Sequence, residues 1–252
     1  MPNWSNIEKI YLYDGTFNGL LTIVFDSYLS KTIPLNIISE SEYTFNLLDS
    51  TEKIFTDEEK SQRIFNGVVK NISYDALYYS YYAFLSNGKD REINILKYLL
   101  NGFLIGPKID TMLSIDYVFN VQIYKKRMLF ESHRLKGLLR FIELNDNLYY
   151  ASIHPDNNVV EDLGQHFVKR LPTQNFIIHD KIKNIMFLYD TNQYKIIDAA
   201  LLPNIDISEV ERKYQDLWKA FYKTIAIKER TNPRLQMQYM PKKYWNDLIE
   251  IP

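Results

Sequence analysis

All four histidines of the chain fall within a short stretch: His133, His154, His166 and His179. Each has polar neighbours that can shape its charge. The contexts are Glu131-Ser132-His133-Arg134, His154-Pro155-Asp156-Asn157-Asn158, His166-Phe167-Val168-Lys169-Arg170 and His179-Asp180. Imidazole beside carboxylate suits general acid–base work, a metal site without cysteine, or phosphate recognition. The plainer alternative is that each ring makes a turn or capping hydrogen bond. The catalytic candidates are therefore His154, Asp156, His166 and His179, and no metal-ligating set is assigned.

Basic residues form the second chemical feature. The 252-residue chain has a formal net charge of −1, but the charge is uneven. Residues 1–120 carry 10 Lys+Arg against 15 Asp+Glu, and residues 121–252 carry 20 against 16. One cluster is Lys125, Lys126, Arg127, Arg134, Lys136 and Arg140 around Glu131; a second is Lys228, Arg230, Arg234, Lys242 and Lys243 around Glu229. Clustered cations attract polyanions by counterion release, although a solvated helix face has the same composition. In the tail, Lys242 and Lys243 precede Tyr244 and Trp245, aromatics that could stack on unpaired bases or plug into a core. A third candidate is Tyr13-Asp14-Gly15-Thr16-Phe17, a carboxylate in a strand-to-helix turn, where capping is the structural alternative.

Several chemistries are excluded. The sequence has no cysteine, so a disulfide, a cysteine nucleophile and an iron–sulfur cluster held by this chain are all ruled out. No P-loop, Gly-x-Gly-x-x-Gly, His-Glu-x-x-His or Gly-x-Ser-x-Gly pattern occurs. The start Met-Pro-Asn-Trp-Ser lacks a basic region followed by an apolar run, and no apolar stretch approaches the ~18 residues of a membrane span. No membrane association is expected, and the cytoplasm is the default location.

The elements that must position these residues follow from periodicity. Residues 10–13 read as a strand. Asp14-Gly15 turns, and Thr16 caps a helix with Phe17, Leu20, Leu21, Val24 and Tyr28 on one face. Residues 31–52 look irregular. Thr56 and Glu59 form a capping box for a second helix; further helices are expected over Ser73–Leu85, Glu92–Asn101 and from Asp110 towards His133. Gly137–Leu144 and Leu148–His154 read as strands joined at Asn145-Asp146-Asn147. A helix over Asn158–Arg170 aligns Val160, Leu163, Phe167 and Leu171. Three short strands follow at 175–179, 185–189 and 194–198. Ser208 and Glu211 open a last helix with Val210, Tyr214, Leu217, Phe221 and Ile225 facing inward. The fold class is α+β: a helical N-terminal half, then a mainly antiparallel sheet with packed helices and a basic aromatic C-terminal arm. The chain reads as one domain over 1–252; if it divides, residues 1–136 are mainly helical and 137–252 are α+β.

Seven segments taken in order resemble a known family. They are Tyr13–Phe17 with Gly19, Glu131–Gly137 with Arg140-Phe141, His154–Asn158, His166-Phe167 with Arg170, His179-Asp180, Lys228-Glu229-Arg230 with Asn232-Pro233, and Met240–Trp245. Together they look like the uncharacterised bacterial "probable DNA metabolism protein" family, with the match running from near residue 9 to near residue 250 and weakest over 40–130. Members of that family are encoded beside a radical-SAM protein described as a DNA modification or repair factor, and related domains are fused to uracil-DNA glycosylases. The resemblance implies a role in DNA repair or modification without assigning catalytic residues, and no glycosylase motif is present. The iron–sulfur cluster and SAM would belong to the partner, with no cofactor on this chain. Three readings stay open: a DNA-binding or accessory subunit with Arg134, Lys136, Arg140, Arg170, Lys242 and Lys243 on phosphates; a histidine-dependent enzyme on a nucleobase or phosphodiester; and a protein–protein adaptor.

Overall fold

The apolar run at residues 10–13 is the end of a longer strand, β1 (Ser5–Tyr13), whose exposure falls toward a wholly buried Tyr13. The computed structural model describes residues 4–144, 147–199 and 209–250, and the chain forms two compact units, Met1–Met128 and Leu129–Pro252.

In the first unit, β1 leads through Asp14-Gly15-Thr16 into α1 (Phe17–Ser30). Gly15 has φ +78°, a conformation that side chains with a Cβ resist. Thr16 caps α1, its hydroxyl accepting from Gly19 N–H at 3.0 Å. Residues 31–52, expected to be irregular, hold two strands, β2 (Thr32–Ser39) and β3 (Thr51–Lys53). They flank β1 in parallel, in the order β2-β1-β3. Pro34 and Asn36 obscured β2 as a strand; Pro34 is tolerated because β2 is an edge strand. The helices α2 (Glu58–Asn71), α3 (Tyr74–Phe84) and α4 (Arg91–Ile105), then a 3-10 turn over Gly106–Thr111 and α5 (Asp116–Leu138), complete the helical half. Leu20, Ile23, Val24, Val68, Leu96 and Leu99 share its core.

The Thr56–Glu59 capping box does not form. Asp57 caps α2 instead, accepting from Lys60 N–H at 3.0 Å. The Thr56 hydroxyl donates 2.7 Å to Asp14 Oδ2, because that carboxylate lies where β3 ends. The boundary between the two units, 128/129, falls within α5.

The second unit contains the five-stranded sheet β4 (Ile142–Glu143), β5 (Leu148–Ile153), β6 (Asn175–Asp180), β7 (Ile185–Tyr189) and β8 (Tyr194–Asp198), in that spatial order. Three of its pairings are antiparallel, and β5–β6 is parallel. A parallel neighbour needs a crossover, which α6 (Val160–Arg170) supplies. Its Val160, Leu163, Gly164 and Phe167 are buried, and Gly164 lets the helix press on the Phe187 ring. Phe176, Ile178 and Phe187 point to this covered face, so by the two-residue strand period Tyr150, Ser152, Ile177, His179, Met186 and Leu188 point to the other. The turn residues 145–146 and the expected cap Ser208 lie outside the described residues.

The chain ends in α7 (Glu209–Ile225), α8 (Pro233–Tyr239) and a 3-10 segment over Lys242–Asp247. Tyr214, Leu217, Phe221 and Ile225 were expected to face inward, and they are exposed instead. Periodicity shows that a helix has an apolar face; it does not show that its own chain covers that face.

Candidate functional site

The parallel pair β5–β6 places the carboxyl ends of two strands side by side, a location that favours ligand sites in sheets with crossovers. His154 follows β5 directly. His179 sits in β6 opposite Ser152, so the two rings are next-but-one neighbours on the sheet face opposite α6.

Each ring is held through Nδ1. Asp247, from the C-terminal 3-10 segment, meets His154 Nδ1 with Oδ2 at 2.8 Å and accepts from the Ser152 hydroxyl at 2.7 Å through Oδ1. This fixes the tautomer, and His154 Nε2 makes no hydrogen bond among the described residues. His154 keeps 31% of its side chain exposed while Asp247 keeps 9%, so the ring is open and its orienting carboxylate is sheltered. On β6, His179 Nδ1 lies 2.9 Å from the Tyr150 hydroxyl. Where the Tyr150 hydroxyl donates to Nδ1, the imidazole proton sits on Nε2; Lys181 Nζ lies 5.9 Å from the Tyr150 ring centroid. That Nε2 is buried with no partner, at a cost of about 1–3 kcal/mol. Burial and the Lys181 ammonium, against the neighbouring Asp180, push the His179 pKa below its ordinary value, so the ring is neutral near pH 7.

The loop after His154 is clamped from three sides. Glu131 of α5, itself buried, accepts from Asp156 N–H at 3.1 Å and from Asn157 N–H and Nδ2 at 2.7 Å each. Lys243 Nζ and the Tyr244 hydroxyl reach Glu131 Oε1, each at 2.5 Å. Lys243 also holds Asp156 Oδ2 at 2.5 Å, and Lys183 Nζ takes the carbonyls of Pro155, Asp156 and Asn157 at 3.1–3.2 Å. Burial opposes charge on Glu131, but the hydrogen bonds from Lys243, Tyr244 and the two backbone N–H groups outweigh it and lower its pKa to about 2.

The other candidates are placed apart from this pair. His166 lies on α6, on the opposite face of the sheet, with its pKa lowered by burial and by Lys136 and Arg170. His133 is exposed on α5. The Asp156 carboxylate is tied to Lys243. Among the described residues, no group of three or more His, Asp or Glu side chains could hold a metal ion.

Of the six expected phosphate contacts, Lys136, Arg140 and Arg170 line one cleft of about 540 Å³ beside Phe141, Tyr149 and Phe167. Two of these three are matched internally: Lys136 by Asp162 at 2.6 Å and Arg140 by Glu250 at 2.7 Å. Lys243 is matched by Glu131 and Asp156. Arg170 and Lys242 are exposed without an ion pair among the described residues, and Lys242 sits 5.8 Å from the Trp245 ring centroid. Arg134 lies over Phe130 and donates a long 3.4 Å bond to the Gln238 carbonyl. Tyr244 is buried, and Trp245 donates to the Met240 carbonyl at 2.9 Å.

Sequence reasoning missed Asp247, Ser152 and Tyr150. Asp247 is 93 positions from its histidine and sits in no local pattern. Tyr150 and Ser152 were legible only as strand residues, although their period-two spacing with His154 puts all three on one face.

The family model for a domain of unknown function, DUF4130, matches residues 89–250. This chain belongs to that family. The match leaves residues 9–88, where the resemblance had been expected to begin, outside it. No curated protein matches. Among solved structures, a pGpG-specific phosphodiesterase, PggH from Vibrio cholerae, is similar at 10% identity over 71% of this chain and 81% of its own, with a TM-score of 0.34.

Proposed function

We propose that this DUF4130 chain is a DNA repair or modification factor whose second unit acts as a histidine-dependent acid–base site on a phosphodiester or nucleobase. The observation that carries the reading is the His154–Asp247 pair beside His179, each ring held by Nδ1 with Nε2 unused. On a phosphodiester, His154 Nε2 takes the proton of an attacking water as its oxygen bonds to phosphorus. The bond to the leaving ester oxygen breaks, and His154 returns the proton to that oxygen, with Asp247 compensating the charge on the ring meanwhile. The neutral His179 offers its Nε2–H to an oxygen on which negative charge develops. That donor is buried, so the substrate oxygen must displace the side chains over it. The DNA context rests on the resemblance set out above, as does the radical-SAM partner, which would carry the iron–sulfur cluster and SAM.

The test is turnover of single- and double-stranded oligonucleotides carrying a panel of base lesions, with and without the radical-SAM neighbour. The wild-type chain should form product. His154→Ala should abolish it and Asp247→Asn should reduce it by roughly 10²–10⁴, both with unchanged circular dichroism. An inert wild type across the panel, or a fully active His154→Ala, overturns the reading.

A second reading, a DNA-binding accessory subunit, is favoured by the cleft that gathers Lys136, Arg140 and Arg170. It predicts binding without turnover, weakened by Arg170→Ala.

A further inference from the structure

Among the described residues, the second unit carries two uncovered apolar surfaces of complementary kind. The first is part of the sheet face opposite α6. Leu148, Ile177, Leu188 and Ile197 floor a groove of about 750 Å³, away from the end occupied by His154 and Asp247. The other face of this sheet is covered by α6; sheets bury both faces or leave a polar one to water, and this floor is aliphatic. The second surface is on α7, where Tyr214, Leu217, Trp218, Phe221 and Ile225 are all 40–65% exposed. Their spacing of three and four residues makes one continuous stripe.

We propose that the occupant of the groove is α7 of a second copy of this chain, in a reciprocal two-fold dimer. The two surfaces are matched in chemistry. The two aromatics that line the groove, Phe176 and Tyr189, are buried and offer no exposed ring for a nucleic-acid base to stack on. Its rim carries one charge of each sign, Asp190 and Lys195, which recruits neither a polyanion nor a polycation. On the helical wheel, Arg212, Lys219 and Lys223 fall opposite the stripe and remain in water. The area is sufficient. Five half-exposed side chains leave roughly 500 Å² of stripe to bury, since a large aromatic contributes about 150–250 Å² in full. Two such stripes alone give about 1,000 Å², and the grooves they cover bring the total into the range of a standard stable interface, about 1,200–2,000 Å². Isologous contacts of this form close at two copies.

The experiment is light scattering on the full chain at tens of micromolar. The expected mass is twice the 30.0 kDa of one chain. Leu217→Glu alters a side chain that is 65% exposed in the single chain, so it should give a folded monomer. Ile197→Glu, on an edge strand, should do the same. Mixed one-to-one, the two variants should associate, because each supplies the surface the other lacks. A monomeric wild type would assign the two surfaces to another protein and overturn the proposal. So would a dimer that survives Leu217→Glu, or one lost with Leu217→Glu but indifferent to Ile197→Glu, which is helix pairing with helix. Failure of the mixed variants to associate overturns it as well.

Discussion

Replacing Glu131 by Gln tests how the loop that presents His154 is held. The Glu131 carboxyl is buried and has its pKa lowered from 4.5 to about 2 by Lys243, Tyr244 and two backbone N–H groups acting against burial. A depression of that size corresponds to about 3 kcal/mol of stability. Because the folded value is the lower one, this contribution is fully present above pH 4.5. It is lost as pH falls from there through about 2. Glu131→Gln should therefore destabilise the second unit by roughly 2–4 kcal/mol at pH 7, part of it from Lys243 left with Asp156 alone. In a chain of this size that is a fall in Tm of about 5–15 °C. The assay is urea denaturation followed by tryptophan fluorescence, Trp245 lying in the same segment as Lys243 and Tyr244, for wild type and variant at several pH values. The gap between them should close towards pH 2. Adding Lys243→Met to the variant should recover part of the loss, since it removes the cation left with one partner. A loss below about 1 kcal/mol at pH 7, or a gap that does not narrow with acid, refutes the role of Glu131 in holding the loop.

Other outcomes follow from single contacts. His179 should titrate below its ordinary range; its neutral form contributes stability that is complete above about pH 6.5 and lost as pH falls through the folded value. Nuclear magnetic resonance of the ring nitrogens reads this directly, and a ring already charged at pH 6.5 contradicts it. Gly164→Ala would bring a Cβ within 2.2 Å of the Phe187 ring, which should lower stability by about 1–3 kcal/mol; an unchanged denaturation midpoint would show that α6 can lift away. Thr16→Ala removes the cap of α1 and one of the Asp14 contacts and should cost the first unit about 1 kcal/mol, measured by denaturation and contradicted by a neutral result.

What could be read in advance was whatever local pattern encodes. The helices α1, α3, α4 and α6 lie where they were expected, α1 with its cap at Thr16. Antiparallel β6–β8 followed from short turns between alternating segments. The three-stranded parallel sheet was not legible, because its partners are contributed by a proline-interrupted edge strand and a three-residue strand. At the candidate site, His154 and His179 stood out by residue type. Their grouping depended on strand register, and the identity of Asp247 depended on where a distant tail docks. Pairing of the cations was hidden for the same reason. Lys136, Arg140 and Lys243 lie in locally basic stretches, yet Arg140 is matched by a carboxylate 110 positions away and Lys243 by Asp156 at 87.

That pairing bears on how strongly DNA binding would depend on salt, and the dependence can be measured. Each phosphate neutralised on duplex DNA contributes about −0.9 to the slope of log K against log salt. If all six cations, Arg134, Lys136, Arg140, Arg170, Lys242 and Lys243, engaged phosphates, the slope would approach about −5. Three of them already hold carboxylates, two of which, Glu131 and Glu250, are buried. Taking a cation from such a carboxylate leaves that carboxylate uncompensated, a cost that phosphate contact in water does not offset. Only Arg134, Arg170 and Lys242 remain, and the slope should not exceed about −3 in magnitude. Fluorescence anisotropy across a salt series gives it. A slope near −5 would mean that DNA opens the internal pairs, and Glu250→Gln, which frees Arg140, should then tighten binding; with a shallow slope the same variant should instead lower stability.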